Sequence, residues 1–89
     1  MTLMVSIARI SRKPDAAEMK AFHAEHEAML GAFAGPAKVL DDPNDPHQIA
    51  VVVDVNDLEG LRQATRTQEG DAMMRRYGFL EQLSYFIEA

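Results

Sequence analysis

Two histidines on one predicted helix are the side chains of this sequence best suited to chemistry. His23 and His26 lie within the segment Phe22-His-Ala-Glu-His-Glu27. His26 is four residues after Phe22 and three before Met29, so it shares their apolar stripe, and His23 lies at its edge. An imidazole facing a helix–sheet cleft titrates near working pH, which suits proton transfer. We predict His26 as a general acid or base and His23 as a second candidate; the alternative is a packed His26 with one nitrogen hydrogen-bonded.

The same histidines form a poor metal site. His23 and His26 share a helix face with spacing three, but His26 and Glu27 are adjacent and point about 100° apart. The order is not His-Glu-x-x-His, and no fourth ligand is evident. The acidic loop from Asp41 to Asp45 lacks the glycine and final glutamate of a calcium loop. The sequence therefore predicts no metal site.

Asp54 is the lone charge in the apolar strand His47–Val55. As a buried carboxylate with a raised pKa, it could orient a histidine or accept a substrate proton, and we predict it as an assistant to His26. The alternative is a position at the end of the strand, hydrogen-bonded to loop amides before the next helix.

Four apolar or aromatic side chains are candidates for shaping a pocket around His26. Tyrosine combines an apolar ring with a hydroxyl that can orient a ligand, although simple packing would also satisfy it. The six methionines fit an adaptable core or pocket. The predicted ligand-binding residues are Phe22, Met29, Tyr77 and Tyr85. We expect the arginines of the second helical region to be solvated, and nothing in the sequence selects one of them to hold an anionic ligand: Arg62, Arg66, Arg75 and Arg76.

The run His47–Val55 organises the predicted fold because it is apolar on both faces. β-Branched residues pack well on a pleated surface, so the run predicts a strand. Around it the pattern predicts strands over 3–10, 37–40 and 83–87, a helix over 14–33, and a helix over 56–77. The order βαββαβ indicates a single α+β domain over residues 1–89 with a ferredoxin-like fold, in which two helices cover one face of a four-stranded antiparallel sheet.

Three helix boundaries follow from local signals. Pro14 suits a first helical turn, and Asp15 with Glu18 equally fits a capping box, so both starts stay open. Asn56 is predicted to cap the second helix, and Gly70 to interrupt it.

The second face of the predicted sheet is too apolar for a monomer. Ala50, Val52, Phe86 and alternate residues of the first strand lie there, where water would favour polar side chains. A chain of 89 residues also builds only a modest core. We therefore predict a homodimer in which two sheets pack face to face.

Composition narrows the functional classes. A net charge of −5 argues against nucleic acid as a partner, since nucleic-acid binding needs a basic face. The absence of cysteine excludes disulfides and thiolate chemistry. The N-terminal apolar run is too short to span a membrane and lacks a basic leader, so we expect a cytoplasmic protein without a membrane partner.

The chain resembles the dimeric α/β-barrel superfamily, which includes antibiotic-biosynthesis monooxygenases, EthD-type proteins, muconolactone isomerases and stress-responsive barrel proteins. The likeness covers nearly the whole chain and rests on element order and on the segments Asp41–Pro46, Val53–Leu58 and Glu69–Gly78. It implies a dimer with one pocket per subunit between helices and sheet. The monooxygenase and haem-degrading branches often place a tryptophan and an asparagine in that pocket, and this sequence has no tryptophan.

Together these observations predict a homodimeric domain whose apolar pocket binds or transforms a small organic molecule. Since no nucleophile motif, phosphate loop or dinucleotide fingerprint is present, we expect no bound cofactor. The candidate reactions are oxygenation, isomerisation or cyclisation of an electron-rich aromatic, with acid–base chemistry at His26. The alternative function is a non-enzymatic, stress-related or accessory module for ligand binding and dimerisation.

Overall fold

The computed structural model describes residues 2–89 as a four-stranded antiparallel sheet with three helices packed on one face. The strands are β1 (Thr2–Ile10), β2 (Lys38–Asp41), β3 (Gln48–Val55) and β4 (Phe79–Ile87), in the spatial order β2-β3-β1-β4. The helices are α1 (Ala16–Leu30), α2 (Leu58–Thr65) and α3 (Gln68–Arg76). The predicted ferredoxin-like α+β fold is confirmed, with the second helical region split in two.

Successive side chains of β3 point alternately to the two faces of the sheet. Ile49, Val53 and Val55 are buried against the helices. Ala50 and Val52 point to the opposite face, which no helix covers. In register, Val52 pairs with Val5 of β1, and Val5 pairs with Phe86 of β4, so these three apolar side chains lie in one row across the bare face.

A capping box settles where α1 begins. The Asp15 carboxylate accepts a hydrogen bond from the Glu18 backbone N–H at 2.8 Å, and the Glu18 carboxylate accepts one from the Asp15 N–H at 3.2 Å. Asp15 is therefore the N-cap, and Pro14 precedes the helix. The helix ends at Leu30 rather than at Phe33, because the Phe33 N–H bonds the Leu30 carbonyl three residues back and tightens the chain into a turn.

The break between α2 and α3 lies at Thr67, so the prediction that Gly70 interrupts the helix was wrong. The Thr67 hydroxyl accepts from the Gly70 N–H at 3.0 Å and caps α3. Gly70 lies within the first turn of α3, where a Cβ would collide with the carbonyl oxygen of Ala64. Glycine is therefore needed for the close approach of two helices and not for a break.

The cap of α2 also differs from the prediction. Asp57, and not Asn56, accepts a hydrogen bond from the Gly60 N–H, at 2.9 Å. The neighbouring Asn56 uses its backbone instead, donating to the Phe33 carbonyl at 2.7 Å.

Strand β4 begins at Phe79, four residues earlier than predicted, and two register shifts interrupt its pairing with β1. The pairs Ile7–Ser84 and Ala8–Gln82 leave Leu83 as an extra residue between them. This bulge hides the alternation in the sequence, which explains the late predicted start. Gly78 precedes the strand with φ of 91° and follows the end of α3.

The substitution Gly70→Ala tests the close approach of α2 and α3. Alanine favours a helix intrinsically, but the clash with Ala64 outweighs this gain, so we expect a loss of about 1–3 kcal/mol in the free energy of unfolding measured with urea. Gly35→Ala is the control, because the nearest atom to its added Cβ lies 3.8 Å away, in ordinary contact. Equal stability of the Gly70→Ala variant and the parent protein would contradict this account.

Candidate functional site

A cavity of about 330 Å³ lies between the helix-covered face of the sheet and the three helices. Its deep wall is mainly apolar, because inward-facing residues of β1, β3 and β4 meet the apolar stripes of the helices. These residues are Met4, Ala8, Phe22, Leu30, Val51, Val53, Leu58, Leu61, Met74 and Phe79. A space of this size and character is suited to a small organic molecule.

His26 is the titratable group on the deep wall of the cavity. Helix α1 positions it one turn after Phe22, whose ring centroid lies 5.8 Å from that of the imidazole. The residue is only 6% exposed. Among residues 2–89 no hydrogen-bond partner of the ring is present, and neither ring nitrogen is sealed from solvent. Because His26 lines the cavity, a molecule bound there would contact the imidazole.

Burial favours the neutral form of His26. Desolvation by the surrounding core lowers the pKa of the imidazole below its usual value, and the nearby His23 lowers it further. At neutral pH the ring thus has a free lone pair that can accept a proton.

The other predicted catalytic residues lie apart from His26. Asp54 is exposed and, by the alternation of β3, points to the bare face of the sheet. The sheet therefore separates its carboxylate from the imidazole. His23 is exposed on the outer side of α1, away from the cavity wall. The structure does not bring the three residues together.

Two of the four predicted ligand-binding residues line the cavity, and the other two lie outside it. Phe22 and Tyr85 lie on the cavity wall. Met29 packs against the core outside the cavity. Tyr77 is buried behind Phe22, with edge-to-face packing at a centroid distance of 5.6 Å, and burial together with Glu25 raises its pKa. Tyr77 therefore supports the wall without lining it.

The mouth of the cavity has polar side chains that sequence reasoning did not single out. Arg62 lies over the ring of Tyr85, 6.0 Å from its centroid. Arg66 lies one helical turn further along on the same side, and both residues line the cavity. Gln82 donates a hydrogen bond from Nε2 to the Ser6 hydroxyl at 2.6 Å across β4 and β1. Arg62 and Arg66 follow Leu58 at intervals of four residues, and this helical spacing was the signal in the sequence that they share a side of the helix with it.

Neither a metal site nor a membrane span is visible in the described chain. Within residues 2–89 there is no cluster of three histidine or carboxylate side chains suited to a metal ion. No helix in the same range is long and apolar enough to cross a membrane.

Comparison with known proteins identifies the fold. The sequence matches no family model and no curated protein. Several solved structures match over nearly the full chain. Protein YJCS matches with a TM-score of 0.64 and 9% identity, and the match covers 99% of this chain and 96% of that one. SnoaB from Streptomyces nogalater, a cofactor-independent oxygenase, matches with TM-score 0.61, 12% identity and coverage of 99% and 90%. An antibiotic biosynthesis monooxygenase matches with TM-score 0.55, 8% identity and coverage of 100% and 97%.

The chain has the ferredoxin-like fold of these proteins. The resemblance drawn from the sequence is thereby confirmed at the level of fold. Identities of 8–12% to these structures do not carry an activity or a substrate from them to this chain.

The lowered pKa of His26 predicts the direction in which the stability of the protein changes with pH. Below about pH 6.5 the unfolded chain takes up a proton that the folded protein resists, so the free energy of unfolding falls as the pH drops from 7 towards the folded pKa. The variant His26→Gln lacks this group, and we expect its stability to fall less over the same interval. Thermal or urea unfolding at a series of pH values measures the difference.

The control for this measurement is His23→Gln. Because desolvation, the larger cause, remains in that variant, most of the pH-dependent loss should persist. Parallel pH profiles for the parent protein and the His26→Gln variant would show that His26 is not held neutral by burial.

Proposed function

We propose that this protein is a small-molecule enzyme in which neutral His26 acts as a general base on an apolar, electron-rich ligand, without a bound cofactor. The observation that carries the proposal is the buried imidazole of His26, which lines a mainly apolar cavity of about 330 Å³ and has no hydrogen-bond partner among residues 2–89. The full-chain likeness to a cofactor-independent oxygenase supports the same class of chemistry.

The step assigned to His26 is abstraction of a proton from an acidic C–H or phenolic O–H. One ring nitrogen takes the proton, and the bonding electron pair stays on the substrate as a delocalised anion. Oxygenation would require dioxygen as a second substrate to accept electrons from this anion. Isomerisation would instead return the proton to a different atom. Both reactions share the first step, so His26 has the same role in each.

The second candidate function is a ligand-binding module without catalysis. It is favoured by the absence of a residue within 2–89 that hydrogen-bonds and orients the imidazole, since an efficient base is usually held by such a partner. A module of this kind would use the same cavity and would bind a ligand without turnover.

Catalysis by His26 can be tested with an anthrone, a flat aromatic ketone whose ring CH₂ is acidic. We expect the protein to accelerate its oxidation, followed by oxygen uptake and absorbance. His26→Gln should lower kcat/KM about a hundredfold, the usual contribution of general base catalysis. His23→Gln, outside the cavity, should stay close to the parent protein. An anthrone that binds without turnover would favour the binding module, and equal loss in both variants would refute the role of His26.

We also propose that the protein is a homodimer formed through the bare face of the sheet. This face presents a continuous apolar row, and Phe86 in that row is 61% exposed in the single chain. Leu3 and Leu40, which are 40% and 47% exposed, belong to the same face. An exposed apolar surface of this kind marks an interface, and a two-fold axis lets one face cover its own copy.

The dimer predicts that Phe86→Glu produces a monomer. Burying two carboxylates in an apolar interface is costly, so the mass measured by sedimentation at micromolar concentration should shift from twice the chain mass to that of one chain. Leu80→Glu is the matched control, since Leu80 is also exposed on β4 but lies beside the cavity. A monomeric parent protein, or a dimeric Phe86→Glu variant, would contradict the proposed interface.

A further inference from the structure

The positive side chains of the chain are distributed unevenly between ion pairs and the cavity mouth. Of the nine lysines and arginines, five form ion pairs with carboxylates within 4.0 Å. These are Arg9, Arg12, Lys13, Arg75 and Arg76. Among residues 2–89, Arg62 and Arg66 have no such pair, and both line the mouth of the cavity.

The two arginines lie close together along the chain, at the end of α2. They are separated by one turn of α2 and lie on the same side of the helix. Arg62 is half-buried over the Tyr85 ring. Because the N–H bonds of a guanidinium lie in its plane, attraction to the ring face leaves those donors available, and within residues 2–89 none of them is used in a hydrogen bond.

The charge at the mouth contrasts with that of the whole chain. The chain has a net charge of −5, so a general attraction for anions is absent. Arg75 at the same mouth is neutralised by Asp71, with Nε 2.9 Å from the carboxylate. Two unpaired arginines beside an apolar cavity are therefore a local feature that complements a negative group.

We propose that Arg62 and Arg66 hold an acidic group of the ligand at the cavity mouth, so that the ligand class is an aromatic or apolar molecule with a carboxylate, sulfonate or ionised phenol at one end. This inference rests on the proposed function, because it assigns the ligand to the same cavity. The apolar body lies against the deep wall near His26, and the anionic end remains at the mouth. Two arginine guanidinium groups can donate several charge-assisted hydrogen bonds to such an oxyanion.

A matched pair of fluorescent probes tests the assignment. Anilinonaphthalene sulfonate and phenylnaphthylamine share the same aromatic body, and only the first has an anionic group. We expect Arg62→Gln and Arg66→Gln each to weaken binding of the sulfonate about threefold, the size suited to partly exposed ion pairs. Binding of the neutral probe should be unchanged. Lys20→Gln, which removes an exposed charge outside the cavity, is the control.

A cavity-filling substitution locates both probes. Val51 lines the cavity, and Val51→Phe should reduce binding of both; Leu58→Phe serves the same purpose if the first variant fails to fold as judged by circular dichroism. Two outcomes would overturn anion recognition but leave the ligand cavity in place. In the first, both probes bind in the cavity and the arginine variants weaken the binding of both equally. In the second, Lys20→Gln weakens binding of the sulfonate as much as the arginine variants do. If the cavity-filling variant binds both probes as tightly as the parent protein, the probes do not bind in the cavity, and both the ligand cavity and the inference fail.

Discussion

Strand β3 imposes the constraint on which the rest of the structure depends, because it is apolar on both faces. Ile49, Val53 and Val55 are buried under the helices, while Ala50 and Val52 form part of an open apolar surface. Hydrophobic burial is the main favourable term in folding, so each face needs a cover. The helices supply one cover within the chain. The second cover, in our proposal, is another copy of the same sheet.

The covered face also determines the character of the candidate site. Packing α1 on the sheet puts His26 among apolar side chains, where its charged form is disfavoured. The space left beside it is not filled by the short helices α2 and α3. The same geometry thus creates the empty volume and keeps the imidazole neutral.

Residue patterns predicted the fold well, because it depends on periodicity. The β-branched run of β3, the apolar stripe of α1 and the local helix-start signals were enough for the element order. The failures occurred where tertiary contact decides: Gly70 was interpreted as a break, although its role is to admit the carbonyl of Ala64. The bulge at Leu83 likewise obscured the start of β4, since an extra residue reverses the alternation on which the prediction relied.

The site was less predictable than the fold. The helical stripe placed His26 on the inner side of α1, as helical spacing requires, but strand parity was not applied to Asp54, which points to the other face. The arginines could not be ranked because ion pairing depends on distances between elements. Only the structure separates Arg76, paired with Glu25 of α1 at 2.7 Å, from the unpaired Arg62.

The split of the second helical region into α2 and α3 affects the local unfolding of this part of the protein. Helices of eight and nine residues are too short to be stable alone and depend on packing against the sheet. In these helices part of that packing is missing, because the cavity lies beneath them. Their amides should therefore exchange with solvent through local openings smaller than global unfolding. A molecule that fills the cavity would close these openings, so the wall of the site and its occupant would become ordered together.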